Sequence, residues 1–393
     1  MQLPARTNLL RPRNTEDAAR VTQIELFFDL VFVYAVTQLS HTLLTNFSLM
    51  GALQTAMLFA AVWWVWIYTS WVTNWLDPER RPVRLLLLAM MLAGLVLSTS
   101  LPLAFKARGL VFAGAYVAMQ LGRTLFMLWA VKGYSPANFR NFQRIAVWLA
   151  ASGALWLWGG LSQGTTRLGL WLAALGIELA SPALGFWTPG LGRSTTRDWD
   201  VEGAHLAERC SAFVLIALGE SITVTGAAFF ELQWTPATIT AFVASFALAA
   251  AMWWIYFDTA AERTSRAFAA VEDPGRTARA AYTYVHAALV AGVILVAVAD
   301  DRVLNHPLAQ ADPGSAAVVL GGPAVYLLGN GVFRRLLAPR FPPSHLLGLA
   351  LLAALTFASP LLSRLSLALA TTAAAILVAT AGSLLHHRQT KAA

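Results

Sequence analysis

The sequence has few charged residues and a single cysteine. Charged residues make up 12% of the 393 residues, against about 25% in typical soluble domains, while 58% are hydrophobic. The lone Cys210 excludes an intramolecular disulfide and a metal site built from several cysteines. This composition excludes an ordinary soluble domain. It predicts an all-α polytopic protein, a bundle of helices that crosses a lipid bilayer many times.

The sequence also lacks the common catalytic and nucleotide-binding motifs. It contains no HExxH zinc motif, no Walker A loop, no glycine-rich dinucleotide fingerprint and no GxSxG nucleophile motif. No enzyme activity, cofactor or bound metal is therefore expected, although scattered acids and histidines leave intramembrane catalysis open. The net charge of +8 does not indicate nucleic acid, because the basic residues lie between hydrophobic runs. The expected partner is the lipid bilayer.

Hydrophobic runs of about 20 residues, the length of a membrane-spanning helix, recur along the chain. The runs are continuous and do not alternate with polar residues, which favours helices over a barrel. No secretory signal precedes the first run, so we expect that run to remain in the protein. We predict about twelve spans, at 22–41, 49–74, 83–105, 109–131, 142–161, 167–187, 202–228, 235–257, 278–299, 315–337, 344–362 and 365–386.

The distribution of basic residues predicts the orientation of these spans. Most of the 28 Lys and Arg residues lie in the N-terminal segment, in the even-numbered loops and at the C-terminus. Positively charged loops face the cytoplasm in membrane proteins. We therefore expect both termini to be cytoplasmic, with tails at 1–20 and 387–393, in a multi-pass protein of the cell inner membrane.

An internal repeat is indicated by three landmarks that recur in the same order. They are Glu25 with Glu208, Trp66-Ile67-Tyr68 with Trp254-Ile255-Tyr256, and Asp77-Pro78-x-Arg80 with Asp273-Pro274-x-Arg276. This pattern predicts two tandem six-helix repeats, at 21–190 and 200–386. Since six is even, the two copies would enter the membrane from the same side and be related by an axis along the membrane normal.

Two acids near the start of the first span are the first candidate functional residues. Glu25 and Asp29 lie one helical turn apart on the same face. A charge inside the bilayer costs about 2.5 to 3.5 kcal/mol, which a cation, a shared proton or an arginine partner would relieve. One interpretation is a proton or cation site. The other is helix capping, because the first turn of a helix stabilises negative charge.

The seventh span carries a polar face that includes His205, Glu208 and Glu220. Glu220 lies twelve residues beyond Glu208, about 18 Å along a helix, which places it well inside the membrane. Gly219 and Ser221 beside it permit close helix approach and hydrogen bonding. Glu220 is either a residue of the substrate or proton path or part of a buried structural pair.

Two further charged residues lie deep in predicted spans. Arg123, in the fourth span, stays protonated and needs a carboxylate or a water-filled cavity. We expect its partner among Glu25, Asp29, Glu208 and Glu220, either as a permanent ion pair or as a switch. Glu178, in the sixth span, is a further candidate for the ion path.

Two long motifs resemble a known family. ELFFDLVFVYAVTQLSH at 25–41 and HLAERCSAFVLIALGESI at 205–222 look like the signature of the bacterial low temperature requirement A (LtrA) proteins. The resemblance spans most of 20–385. It implies a multipass membrane protein named after a phenotype in cold growth, and it implies no settled substrate or reaction.

Two classes of function remain open from the sequence. The first is a secondary transporter coupled to protons or a cation, with a polar path lined by spans 1, 4 and 7; an ion channel is its close relative. The second is a non-transporting membrane protein that organises lipid in cold or stress adaptation. The deep charges favour the first class.

Overall fold

A computed structural model describes residues 8–11, 20–195, 201–258, 277, 279–337 and 340–391, with side chains described to residue 384. Most of the predicted N-terminal tail and the repeat landmark at 273–276 lie outside these residues. Twelve α-helices occur in the described part of the chain, and its β-structure is limited to isolated bridges. The prediction of an all-α protein is therefore confirmed.

The chain divides into two compact units, which share helices α1 and α7. Unit 1 comprises 1–42 and 49–209, and unit 2 comprises 43–48 and 210–393. The first six helices are α1 (Gln23–Thr45), α2 (Leu49–Trp75), α3 (Arg81–Ser100), α4 (Gly109–Val131), α5 (Pro136–Leu161) and α6 (Gly164–Ala180). The others are α7 (Gly203–Phe230), α8 (Pro236–Phe257), α9 (His286–Asn305), α10 (Pro313–Leu337), α11 (Pro343–Ala358) and α12 (Arg364–Lys391).

Local sequence signals set where several helices begin. Thr235 caps α8: it accepts a hydrogen bond from the backbone N–H of Thr238, whose hydroxyl accepts one from the N–H of Thr235. Pro236 follows at the first helical position, where its missing N–H removes no helical hydrogen bond. A π-helical turn at Arg279–Val285 leads into α9.

Outside the membrane spans, an aspartate orders the start of α10. Asp312 accepts hydrogen bonds from the backbone and hydroxyl of Ser315, and pairs with Arg302 at 3.2 Å and Arg364 at 2.8 Å. Partial burial raises the pKa of Asp312, but the hydrogen bonds from Ser315 and the two guanidinium groups outweigh it and hold that pKa well below its usual range. The loop before α10 is thus fixed to the start of α12.

Eleven helices of the described chain are long and apolar enough to cross a membrane, one fewer than the twelve predicted. The difference is the predicted span 167–187. There α6 has 17 residues, about 25 Å, and ends at Ala180, short of the roughly 30 Å hydrocarbon core. The chain then turns through 181–186, where Gly185 and Phe186 have positive φ angles of 62° and 49°. The apolar run therefore continues beyond the helix that it was expected to form.

Small residues allow close packing of α9 against α10 in unit 2. A methyl group at Gly322 would lie 2.9 Å from the backbone nitrogen of Val296 and 3.2 Å from the carbonyl oxygen of Gly292. The neighbouring Gly321 has open space at the same position. Helices that approach this closely gain dispersion contacts, which is the main attraction between helices in lipid.

Gly322→Ala is expected to destabilise the protein, because the added methyl group forces α9 and α10 apart. Overpacking of this kind costs about 1 to 3 kcal/mol. The measurement is unfolding of the purified protein in mixed micelles of increasing denaturing detergent. Gly321→Ala is the matched control and should leave the midpoint unchanged or slightly raised. Equal midpoints for the two variants would contradict the close contact.

Candidate functional site

Five ionisable side chains form a buried group at the start of α1, which we call the acid–arginine cluster. Its members are Glu25, Asp29, His205, Arg209 and Arg11. The first four are 0% exposed and Arg11 is 7% exposed. All five belong to unit 1. The cluster therefore holds two carboxylates and two guanidinium groups away from solvent.

Glu25 is saturated with donors and also caps α1. Its Oε2 accepts from the backbone N–H of Thr22 at 2.9 Å and from the Thr22 hydroxyl at 2.8 Å. This is the reciprocal half of a Thr-x-x-Glu capping box. Oε2 also pairs with Arg11 at 3.2 Å, and Oε1 lies 3.0 Å from His205 Nε2 and 3.2 Å from Arg209 Nη1. The capping interpretation of Glu25 thus has a geometric basis, and the acid is ion-paired as well.

The hydrogen bonds around His205 define its protonation state. The amide of Asn74 accepts from the backbone N–H of Glu202 at 2.9 Å and donates to the carbonyl of Glu202 at 2.8 Å, which fixes the orientation of the amide. Its nitrogen, 3.2 Å from His205 Nδ1, must then donate to that ring atom. Nδ1 is therefore unprotonated, and Nε2 carries the hydrogen that is donated to Glu25 at 3.0 Å. Arg11 Nη2 lies 3.2 Å from the same Nε2, and this contact is then not a hydrogen bond, because both atoms are donors.

Asp29 is less completely satisfied than Glu25. Its Oδ1 accepts from Arg209 Nη2 at 2.6 Å and from Trp66 Nε1 at 2.7 Å. The Arg209 guanidinium also lies 5.8 Å from the centre of the Trp66 ring. Within the described residues, Asp29 Oδ2 and Arg209 Nε are buried without a hydrogen-bond partner. A buried polar atom without a partner costs about 1 to 3 kcal/mol, so this side of Asp29 is suited to accept a proton or a small cation.

Arg123 does not pair with the acids that the sequence suggested. Among the described residues it forms no ion pair; its Nη1 donates to the Val65 carbonyl at 3.1 Å and to the Thr69 hydroxyl at 3.0 Å, both on α2. The guanidinium lies 5.4 Å from the centre of the Tyr68 ring. Carbonyl, hydroxyl and π-electron contacts replace the expected carboxylate. Among the described residues, the prediction that Arg123 pairs with Glu25, Asp29, Glu208 or Glu220 is therefore wrong.

Glu178 lies in a second buried network and is 1% exposed. Its oxygens accept from Ser152 at 2.8 Å, from Trp156 Nε1 at 2.9 Å, from Gln120 Nε2 at 3.1 Å and from the Tyr116 hydroxyl. The carbonyl of the same Gln120 amide accepts from Arg123 Nη2. Gln120 therefore links Arg123 to Glu178 without direct contact between the two charges.

Glu208 and Glu220 lie on α7 outside the acid–arginine cluster. Glu208 is exposed, and its carboxylate accepts from the backbone N–H of Val21 at 3.2 Å, just before α1. Glu220 is half-buried on the part of α7 that belongs to unit 2. Of the predicted residues, the structure brings Glu25, Asp29 and His205 together, and it joins Arg123 with Glu178.

Several members of the site were not among the candidates from the sequence. Arg209 lies next to Glu208 in the same motif and faces both carboxylates. Arg11 reaches Glu25 because residues 9–11 run beside the end of α2, where the Arg11 N–H donates to the Trp75 carbonyl at 2.8 Å. A charged arginine inside an apolar run indicates a buried partner, so Arg209 could have been identified from the sequence. Arg11 could not, because its segment is polar and resembles a tail.

Comparisons with known proteins identify a family and a relative. The family model described as bacterial low temperature requirement A protein (LtrA) matches residues 20–380. The chain is 42% identical over 348 residues to an uncharacterized protein of Rhizobium meliloti (strain 1021). The aligned region covers 88% of this chain and 85% of the relative. No solved structure matches the chain.

Arg209→Gln is expected to destabilise the protein by about 3 to 5 kcal/mol, because it leaves two buried carboxylates without their shared cation. In the Asp29→Asn background the same change should cost less, since one carboxylate has already been neutralised. Unfolding in mixed micelles measures this double-mutant cycle, with an expected coupling of about 0.5 to 3 kcal/mol. Arg144, buried and bonded to the Leu191 carbonyl at 2.9 and 2.6 Å, is the matched control. Arg144→Gln should be additive with Asp29→Asn, and equal coupling for both arginines would contradict the pairing.

Proposed function

The chain belongs to the bacterial low temperature requirement A (LtrA) family, and from this premise we propose that it is a secondary transporter coupled to protons or a cation. The observation that carries the proposal is the unequal pairing of two buried acids. Glu25 is saturated, whereas Asp29 Oδ2 has no partner within the described residues. An ionisable group at membrane depth is a functional candidate by default.

The acid–arginine cluster supports a switch centred on Arg209. With both acids ionised, both arginines charged and His205 neutral, the cluster has no net charge. A proton or cation that binds at Asp29 Oδ2 adds one positive charge and weakens the attraction between Asp29 and Arg209. Arg209 retains Glu25 as a partner at 3.2 Å, so the guanidinium can leave Asp29 without becoming unpaired. Binding at Asp29 would thus change the contact between α1 and α7.

In this proposal the polar path is lined by α1, α4 and α7. Glu208 lies at its exposed end, and Glu220 lies about 18 Å further along α7. Arg123 and Gln120 form the part of the path on α4, and Gln120 bonds to Glu178. His205 acts by holding Glu25 in place and does not carry the proton, because both its ring nitrogens are engaged. The substrate class is a proton, a cation or a small molecule.

A non-transporting role is the second candidate, and the complete pairing of Glu25 favours it. Acids paired in a dry core stabilise helix packing without moving ions. A protein that organises lipid in cold or stress adaptation would need only that structural role. An ion channel would use the same polar path as a transporter. A dependence of ion flux on the Asp29 carboxylate would distinguish a transporter or a channel from a purely structural protein.

The transport proposal is tested with purified protein in liposomes that contain a pH-sensitive dye. An imposed proton gradient should produce flux above that of empty liposomes, and Asp29→Asn should return it to background because the acceptor oxygen Oδ2 is lost. The matched control is Asp77→Asn, which removes a carboxylate paired with Arg80 at 3.2 Å in a loop. Sodium and potassium fluxes are measured in the same preparation.

Normal flux in Asp29→Asn protein of normal size-exclusion profile would overturn the carboxylate mechanism. Absence of proton, sodium and potassium flux in the unmodified protein would favour the non-transporting role. Flux that does not saturate and needs no counter-ion would favour a channel.

We also propose that α6 crosses the membrane as a short twelfth span, in two tandem six-helix repeats at 21–190 and 200–386 with both termini in the cytoplasm of an inner-membrane protein. The repeated landmarks and the basic loops support this topology. Fusions of a fluorescent protein and of periplasmic alkaline phosphatase to the C-terminus test it. The fluorescent fusion should be bright and the phosphatase fusion inactive. An active phosphatase would place the C-terminus in the periplasm and would contradict this topology.

A further inference from the structure

A buried aspartate in unit 2 has surroundings unlike those of the acid–arginine cluster. Asp300 lies on α9, five residues before the helix ends at Asn305, and is 6% exposed. Among the described residues, no Lys, Arg or His lies within ion-pair distance of its carboxylate. Its Oδ2 lies 3.4 Å from the hydroxyl of Thr225 on α7, and Ser245 on α8 lies beside the same small cavity. The charge of this carboxylate is therefore not balanced by a protein cation.

The hydroxyl of Thr225 is a poor donor to Asp300 because its hydrogen is used elsewhere. The Thr225 oxygen lies 2.8 Å from the carbonyl of Ser221, one turn earlier on α7, and 3.4 Å from Asp300 Oδ2. A hydroxyl has one hydrogen and two lone pairs. The short bond to the Ser221 carbonyl takes the hydrogen, so the Thr225 oxygen presents lone pairs to an oxygen of Asp300. Two acceptors that face each other attract a cation or an added proton.

A small cavity lies beside these oxygens. It has a volume of ≈ 10 Å³ and is lined by Asp300, Thr225, Ser245 and Ser221, with apolar side chains on the remaining sides. This is about the smallest space that holds one water molecule. It excludes an organic substrate and suits one desolvated ion. The polar residues that line it carry one carboxylate and three hydroxyls, and oxygen ligands of this kind are those that hard cations prefer.

We propose that Asp300, Thr225, Ser245 and Ser221 form a binding site for a small monovalent cation of the sodium class. One carboxylate neutralises one positive charge, so a monovalent ion leaves the buried site neutral. The described residues contain no group of three or more His, Cys, Asp or Glu side chains able to hold a metal ion, which disfavours a divalent ion. This site shares no residue with the acid–arginine cluster, and its existence does not depend on transport.

Cation binding is tested on the purified full-length protein in detergent by thermal unfolding. Sodium chloride replaces choline chloride at constant ionic strength and alkaline pH, and lithium and potassium chlorides are compared. Sodium should raise the unfolding temperature in a saturable way, because a ligand that binds only the folded state stabilises it. Asp300→Asn should abolish the shift. Thr225→Val and Ser245→Ala should move the half-saturating sodium concentration upwards.

Asp301→Asn is the matched control. It removes the next carboxylate on the same helix, which accepts from Asn305 at 3.2 Å outside the cavity, and should keep the full sodium response. The proposal is overturned if no cation stabilises the unmodified protein, or if Asp300→Asn keeps the response. It is also overturned if Asp301→Asn loses the response equally. Since unfolding needs no flux, this outcome is independent of the transport assay with Asp29→Asn.

Discussion

The structure of unit 1 depends on one guanidinium group that serves two carboxylates. Arg209 contacts Asp29 at 2.6 Å and Glu25 at 3.2 Å, and all three side chains are fully buried. In a medium with little water, each charge must be balanced by a neighbour or by hydrogen bonds. The position of residues 203–209 against α1 follows from this requirement, because separating them leaves Asp29 and Arg209 without an opposite charge, whereas Glu25 keeps Arg11.

The same requirement is met differently elsewhere in unit 1. Glu178 is surrounded by neutral donors, and Arg123 by a carbonyl, a hydroxyl and an aromatic ring. Gln120 joins the two by turning its carbonyl to the cation and its amide nitrogen to the anion. Dipoles placed in this way stabilise charge without ion pairing. Cations thus balance the acids of α1, whereas dipoles balance the acid of α6.

Much of the fold could be predicted from hydrophobic length alone, because a span must cover the bilayer with apolar side chains. The predicted span 109–131 coincides with α4, and 49–74 differs from α2 by one residue. The bounds of the predicted span 167–187 were wrong, because the helix there ends at Ala180 and the chain turns at Gly185. Apolar residues are favourable in lipid whether or not the backbone is helical, so composition did not reveal this turn.

The site could be predicted only in part. The sequence indicated that Glu25 and Asp29 lie on one face of the first helix. It did not indicate their partners, because Arg11 and Trp66 reach the acids through tertiary packing. Arg123 showed that a deep cation does not require an acid. Helix periodicity identifies the residues that share a face, but it does not identify which residues on other helices face them.

The hydrogen bonds of His205 have a consequence for proton stoichiometry. Asn74 occupies one ring nitrogen and Glu25 the other, so the ring has no free position for a second proton. Of the Glu25 oxygens, Oε2 already accepts from Thr22 and Arg11, and Oε1 accepts from His205. Within the described residues, the acid–arginine cluster thus retains a single vacant acceptor, Asp29 Oδ2. The transport proposal therefore requires that this cluster bind one proton at a time, at Asp29 Oδ2.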